Sequence, residues 1–184
     1  MRIDFNFKIV LCGILLLIMA GCASVLSVDP NDAPAVNEAV QVERDTFKGV
    51  TYFRGPAITG TGDAAGNGPK VQEIILNASD ERDQAMRYFL DITGYYDGDW
   101  LGFDKAFDSS GKKFHALTVK HKPDCQLLCG YDEVLEIELT RKYLDDHAQT
   151  GVNMRLYGPA GAASAPFTLP AAYLQGFLNK FYDD

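Results

Sequence analysis

A mainly β fold is predicted here: an antiparallel β-sandwich-like sheet with a C-terminal helix and one short additional helix. Three observations predict it. Short segments rich in β-branched and aromatic residues recur between clusters of turn-forming residues. Two segments alternate with period two: Met86, Tyr88, Leu90 and Ile92 against Arg87, Asp91 and Thr93, then Leu135, Ile137 and Leu139 against Glu136, Glu138 and Thr140. The chain closes on Tyr173, Leu174, Phe177, Leu178 and Phe181, a stripe at helical spacing. Hairpins followed by a helix with one apolar face form an antiparallel sheet with helical cover.

Ahead of that domain lies a leader. Arg2 and Lys8 precede an apolar run over residues 9–20, which ends at Gly21 and Cys22. This is the charged start, short apolar middle and small-residue junction of a secretory signal. About a dozen apolar residues are too few to cross a core of roughly 30 Å as a helix. Met19-Ala20-Gly21-Cys22 resembles the lipobox of bacterial lipoproteins. The resemblance implies that the Cys22 thiol receives a diacylglyceryl group, that the chain is cut before it, and that the new amine is acylated. Ala23, where Asp would usually retain a lipoprotein in the inner membrane, implies the outer membrane, facing the periplasm or the cell surface. Several acyl chains, at about 0.8 kcal/mol per buried methylene, make such anchoring stable.

The expected organisation is residues 1–21 as signal peptide, 22–44 as lipidated cysteine and tether, and 45–184 as a single β-rich domain. The tether (ASVLSVDPNDAPAVNEAVQVER after the cysteine) has no sustained period and no aromatic residue. As a coil of about 22 residues it would hold the domain roughly 25 Å from the bilayer.

Residues 47–54 (FKGVTYFR) read as the first strand. Residues 59–69 (TGTGDAAGNGP) read as a loop between strands. Their Gly60-x-Gly62 and Gly66-x-Gly68 would need a following helix to cradle phosphate, and the strand-like 71–76 follows instead. Residues 71–78 and 84–95 form a hairpin, in which Phe89 interrupts the polar side and is expected beneath the C-terminal helix. A second hairpin is expected from 100–107 and 114–121 across Asp108-Ser109-Ser110-Gly111. A third crosses Cys125 and Cys129 into 133–139. At 140–148 the period becomes helical, with Thr140 as cap and Gly151 as stop. Residues 152–157 return to strand. In the last helix Pro170 suits the first turn, and Gly176 is expected to pack backbone closely on the sheet.

Of 17 basic and 25 acidic residues the leader takes Arg2, Lys8 and Asp4, which moves the net charge from −8 to −9 in the mature chain. Such a chain repels phosphate backbones, so nucleic acid is excluded as a partner, and membrane attachment must come from the lipid. With Cys12 lost and Cys22 lipidated, Cys125 and Cys129 remain as a pair in an oxidising compartment, where a disulfide is expected. It would be worth about 2 kcal/mol at most, because the ring is short. The alternative, a metal held by His121, Cys125 and Cys129, falls one ligand short of a closed zinc site.

His115 and His121 sit on one expected strand about 20 Å apart, too far to share an ion unless the strand is broken. His147 belongs to the short helix. Asp97, Asp99, Asp104 and Asp108 match a calcium loop poorly, since Leu101 takes a ligand position, and are read as a solvated turn. No nucleophile elbow and no helical His-Glu-x-x-His is present in the sequence. No catalytic residue, metal or cofactor is assigned.

Residues 100–111 (WLGFDKAFDSSG), the cysteine pair and residues 169–178 (LPAAYLQGFL) resemble uncharacterised small lipoproteins of Gram-negative bacteria. The resemblance implies no known activity. The function expected is therefore a non-catalytic binding or structural component of the cell envelope, with a protein or a peptidoglycan-associated assembly as partner. A module holding a small apolar ligand between sheet and C-terminal helix is the first alternative, and an enzyme of unrecognised type the second.

Overall fold

The computed structural model describes residues 28–60, 69–125 and 129–183. In chain order they form α1 (Ala33–Ala39), β1 (Gln41–Asp45), β2 (Val50–Arg54), β3 (Ile58–Thr59), β4 (Lys70–Glu81), β5 (Arg87–Asp97), β6 (Lys105–Asp108) and β7 (Lys113–His115). There follow β8 (Leu117–Cys125), β9 (Cys129–Leu139), α2 (Arg141–His147), β10 (Val152–Tyr157), β11 (Phe167–Leu169) and α3 (Ala171–Asp183). The protein is mainly β, with every strand pairing antiparallel. One sheet has seven strands in the order β1-β2-β4-β5-β9-β8, with β3 beside β4; the other has four, β11-β10-β6-β7.

The period-two alternation of β5 sets the two sides of the larger sheet. Tyr88, Leu90 and Ile92 point inward, opposite Leu139, Ile137 and Leu135 of β9 and Ala78, Leu76 and Ile74 of β4. These residues join Met154, Leu156, Phe167 and Leu169 of the smaller sheet in one apolar core. The central strand β4 buries Ile74 and Leu76 in the core, and Ile75 between them is buried on the outer face, in the row of Asp91 and Glu136. The edge strand β8 carries Lys120, Lys122, Pro123 and a register shift after Thr118, features that discourage pairing with another chain.

Helix α3 closes the inner side. Tyr173, Leu174 and Phe177 have no exposed surface, and Phe181 packs edge-on against Phe53, Tyr88 and Phe177. The buried Tyr173 hydroxyl accepts from the Leu76 amide at 3.3 Å and donates to the Pro56 carbonyl at 2.7 Å. It pins the point where β2 gives way to β3 along β4. Only glycine fits at Gly55, since a Cβ there would come within 2.9 Å of the Leu76 carbonyl oxygen.

Several expectations are corrected. Residues 33–44 are folded rather than tether: Asp32 caps α1 by accepting from the Ala35 amide at 3.1 Å, Val36 is fully buried, and β1 pairs with β2. About two helical turns with Val36 and the capping Val40 are too short a pattern to show as amphipathic in the sequence. Gly176 meets α1, not the sheet; a Cβ there would sit 2.8 Å from Val36 Cβ. The second hairpin is shorter than expected, because the strand breaks at Ala116. β6 and β7 lie in the smaller sheet, while β8 crosses to the larger one.

Other expectations hold. Thr140 caps α2 through the Tyr143 amide at 3.1 Å, and Gly151 adopts the left-handed stop at φ 74°. The glycine-rich segment is flanked by β3 and β4, with no helix following it; residues 61–68 lie outside the described part.

Candidate functional site

Among the described residues no helix covers the outer side of the seven-stranded sheet, and there β1, β2, β4, β5 and β9 shape a groove of about 650 Å3. Most of its residues are the polar halves of the strand alternation, brought into rows by the register, and Val42, Phe53, Ala78 and Phe89 line it with them. Arg54 stands opposite Asn77, which stands opposite Phe89. Tyr52 lies between Glu43 and Ser79, and Asp91 lies opposite Glu136.

Phe89 is central. The expectation that α3 covers it is overturned, because its odd position in β5 turns it to the side opposite Tyr88 and Leu90. The Arg87 guanidinium covers its ring instead, 4.7 Å from the centroid, within cation–π range. Arg87 is held there by a bidentate bond to Glu138, with Nε donating at 3.0 Å and Nη2 at 3.2 Å. Tyr52 presents a ring that is 41% exposed.

Two carboxyl groups face each other in the groove. Asp91 accepts from Asn77 Nδ2 at 2.8 Å, and Arg54 Nη1 stands 4.0 Å away. Burial raises its carboxyl above the ordinary value, and the Asn77 bond and Arg54 counteract this only in part. Glu136 has no hydrogen bond or ion pair among the described residues; burial, then the facing Asp91, raises its carboxyl too. Directly opposed side chains in an antiparallel pair lie about 5 Å apart, so like charges repel there. A raised, half-buried pair favours a bound proton or a ligand that brings donors.

A second carboxylate is buried but fully satisfied. Glu133 faces Gly94, which leaves it room on the inner side of β9. It accepts from Tyr96 Oη at 2.8 Å, Trp100 Nε1 at 3.1 Å and Thr118 Oγ1 at 3.0 Å. Burial and the bond to Glu133 raise the Tyr96 phenol well above its ordinary value. Trp100 stacks on His121 at 5.1 Å. With its donors supplied, Glu133 acts as a pin that ties the 98–104 loop to the sheet.

The other residues singled out from the sequence fall elsewhere. Cys22 lies outside the described residues. Cys125 and Cys129 are facing positions at the end of the β8–β9 ladder, a Cα spacing that suits a disulfide. His115 and His121 lie on separate strands, because the expected single strand is broken. His147 holds its Nδ1 2.8 Å from the Tyr143 carbonyl, to which it donates. Of the acidic run, Asp97 and Asp99 are exposed, but Asp108 is buried. It accepts from the amides of Ser110 and Lys112, each at 2.9 Å, and from Tyr143 Oη at 2.9 Å. Among the described residues no three His, Cys, Asp or Glu side chains converge as metal ligands, and no helix is long and apolar enough to cross a membrane.

The fold and groove thus define a mainly β protein with one closed and one open sheet face. A scan against family models finds no match, and comparisons with curated proteins and with solved structures find no significant relative.

Proposed function

We propose that the chain is a lipid-tethered protein of the outer membrane whose β domain binds an envelope component on the open face of the seven-stranded sheet. The observation that carries this reading is the asymmetry of that sheet. Its inner side is closed by α3 and the second sheet, while its outer side keeps an exposed Tyr52 and an opposed carboxyl pair in a groove. A ligand between the sheet and α3 is disfavoured, because Tyr173, Leu174 and Phe177 already fill that interface. The facing Asp91 and Glu136 support acid–base catalysis as the second reading, since such chemistry uses carboxyl groups with shifted proton affinity.

The tether rests on Met19-Ala20-Gly21-Cys22. A Cys22→Ser chain should lose membrane fractionation, and unchanged fractionation would remove the anchor. The Cys125–Cys129 bridge is proposed from the facing register, with neither thiol expected to react in the unreduced, unfolded protein. The binding face is tested in cells by a photo-crosslinking residue at position 52, with one at 142 as control. Adducts formed only from position 52 support the reading; equal or absent adducts at both positions reject the face.

A further inference from the structure

We infer that the groove takes a neutral saccharide strand, stacked on Tyr52 and hydrogen-bonded by Asp91, Asn77, Arg54 and Glu136. This rests on the reading that the open face is the ligand surface, and it names the ligand's chemistry.

Charge and partnering argue it. Glu43, Asp91 and Glu136 repel an anion in the groove. Arg54 beside Asp91, the more buried of the two facing carboxylates, and Arg87 over Phe89 already fill two of the places an ammonium would take. An apolar ligand would take Asp91 and Glu136 out of water without giving them partners, which costs more than its burial returns.

A neutral ligand rich in hydroxyls remains. Each hydroxyl both donates and accepts, matching the Arg54 guanidinium and two-sided Asn77 amide of one row and the Asp91 and Glu136 carboxyls of the next. Glu136, raised and without a donor among the described residues, is the group such a hydroxyl would satisfy. The C–H face of a sugar ring needs an aromatic platform. Tyr52, exposed on the rim of the groove, offers one.

Shape agrees. From Gln41 and Glu43 on β1 to Glu136 on β9 the groove crosses five neighbouring strands. At about 4.8 Å per step that is roughly 19 Å, the dimension of a linear oligomer rather than of a single compact ring.

The test uses the full-length chain in detergent micelles, titrated calorimetrically with linear oligomers of N-acetylglucosamine and of glucose. Spermidine, oleate and a sulfated oligosaccharide are the competing chemistries. At least one neutral oligomer should bind at millimolar concentration or better. Tyr52→Ala and Glu136→Gln should each weaken binding by about tenfold or more, while Lys142→Ala on α2 changes nothing. Tyr52 is exposed and Glu136 only half-buried, so neither variant is expected to melt below the wild type, and this is checked first.

Two results overturn the saccharide: absence of binding by both neutral oligomers, or oligomer binding indifferent to both variants. If spermidine, oleate or the sulfated oligomer binds instead and Tyr52→Ala abolishes it, the ligand class is wrong while the face stands. Failure of the face itself is read separately, by the crosslinking at position 52.

Discussion

The two sides of β5 carry the same strand into different environments. Tyr88, Leu90 and Ile92 are all but fully buried against β4, β9 and α3. Arg87, Phe89 and Asp91, one residue out of step, stand on a face covered by no helix, where Arg87 shields Phe89 and Asp91 confronts Glu136. The inner side follows the rule that buried polar groups are satisfied, as Glu133 with its three donors shows. On the outer side Glu136 is half-buried and keeps its carboxyl in reach of water, since no buried side-chain nitrogen or oxygen among the described residues lacks a partner. One side of the strand is closed by apolar packing, and the other stays open to solvent and ligand.

The largest expected effect tests the closed side. Phe177→Ala removes a fully buried ring from between α3 and the sheet, and thermal or denaturant unfolding should show a loss of about 3–5 kcal/mol. A variant as stable as its parent would take α3 out of the core and end the contrast. Gly176→Ala comes next. On a free helix it would stabilise, but here the methyl meets α1 at Val36, so a loss of about 1–3 kcal/mol is expected by the same measurement.

The smallest effects sharpen the comparison through pH, with opposite signs. Burial pushes Asp108 up, but its hydrogen bonds from Ser110, Lys112 and Tyr143 more than offset this and hold it below the ordinary value. Its contribution is therefore present above the unfolded carboxylate value and is lost as pH falls through the folded one. Asp108→Asn should lower the melting temperature near neutral pH and lose that effect in acid. Glu136 is raised, so the folded protein holds its proton more tightly than the unfolded chain. Stability falls as pH rises from the ordinary carboxylate value through the raised one, and the deficit persists above it. Glu136→Gln should raise the melting temperature near neutral pH and be without effect below about pH 4. Melts at both pH values check the pair. A Glu136→Gln that destabilises at neutral pH would mean the outer face is as satisfied as the inner one.

Much of this fold is legible in local pattern. Period-two alternation in 86–93 and 135–140, the Thr140 cap, the Gly151 stop and the stripe from Tyr173 to Phe181 each depend on neighbours within a few residues. The misreadings have one origin. Local pattern puts Phe89 beneath the C-terminal helix, Gly176 against the sheet and 33–44 in a tether, because each is decided by a remote element: the choice of face for α3, and the docking of α1 beneath it. The groove's residues were visible as polar positions, but not as a group.

Sequence by itself determined most of the strands, the inward residues of β5 and β9, and the short and terminal helices, since side-chain periodicity is a local property. Tertiary structure decided which strands are neighbours and in what register. That pairing places β2 rather than β3 alongside the end of β4, sets Asp91 opposite Glu136, and leaves Glu133 facing the space above Gly94. A slip of one residue would move every one of these side chains to the other face. The register is held by the summed burial of Leu76, Leu90 and Ile137, and no single segment encodes it.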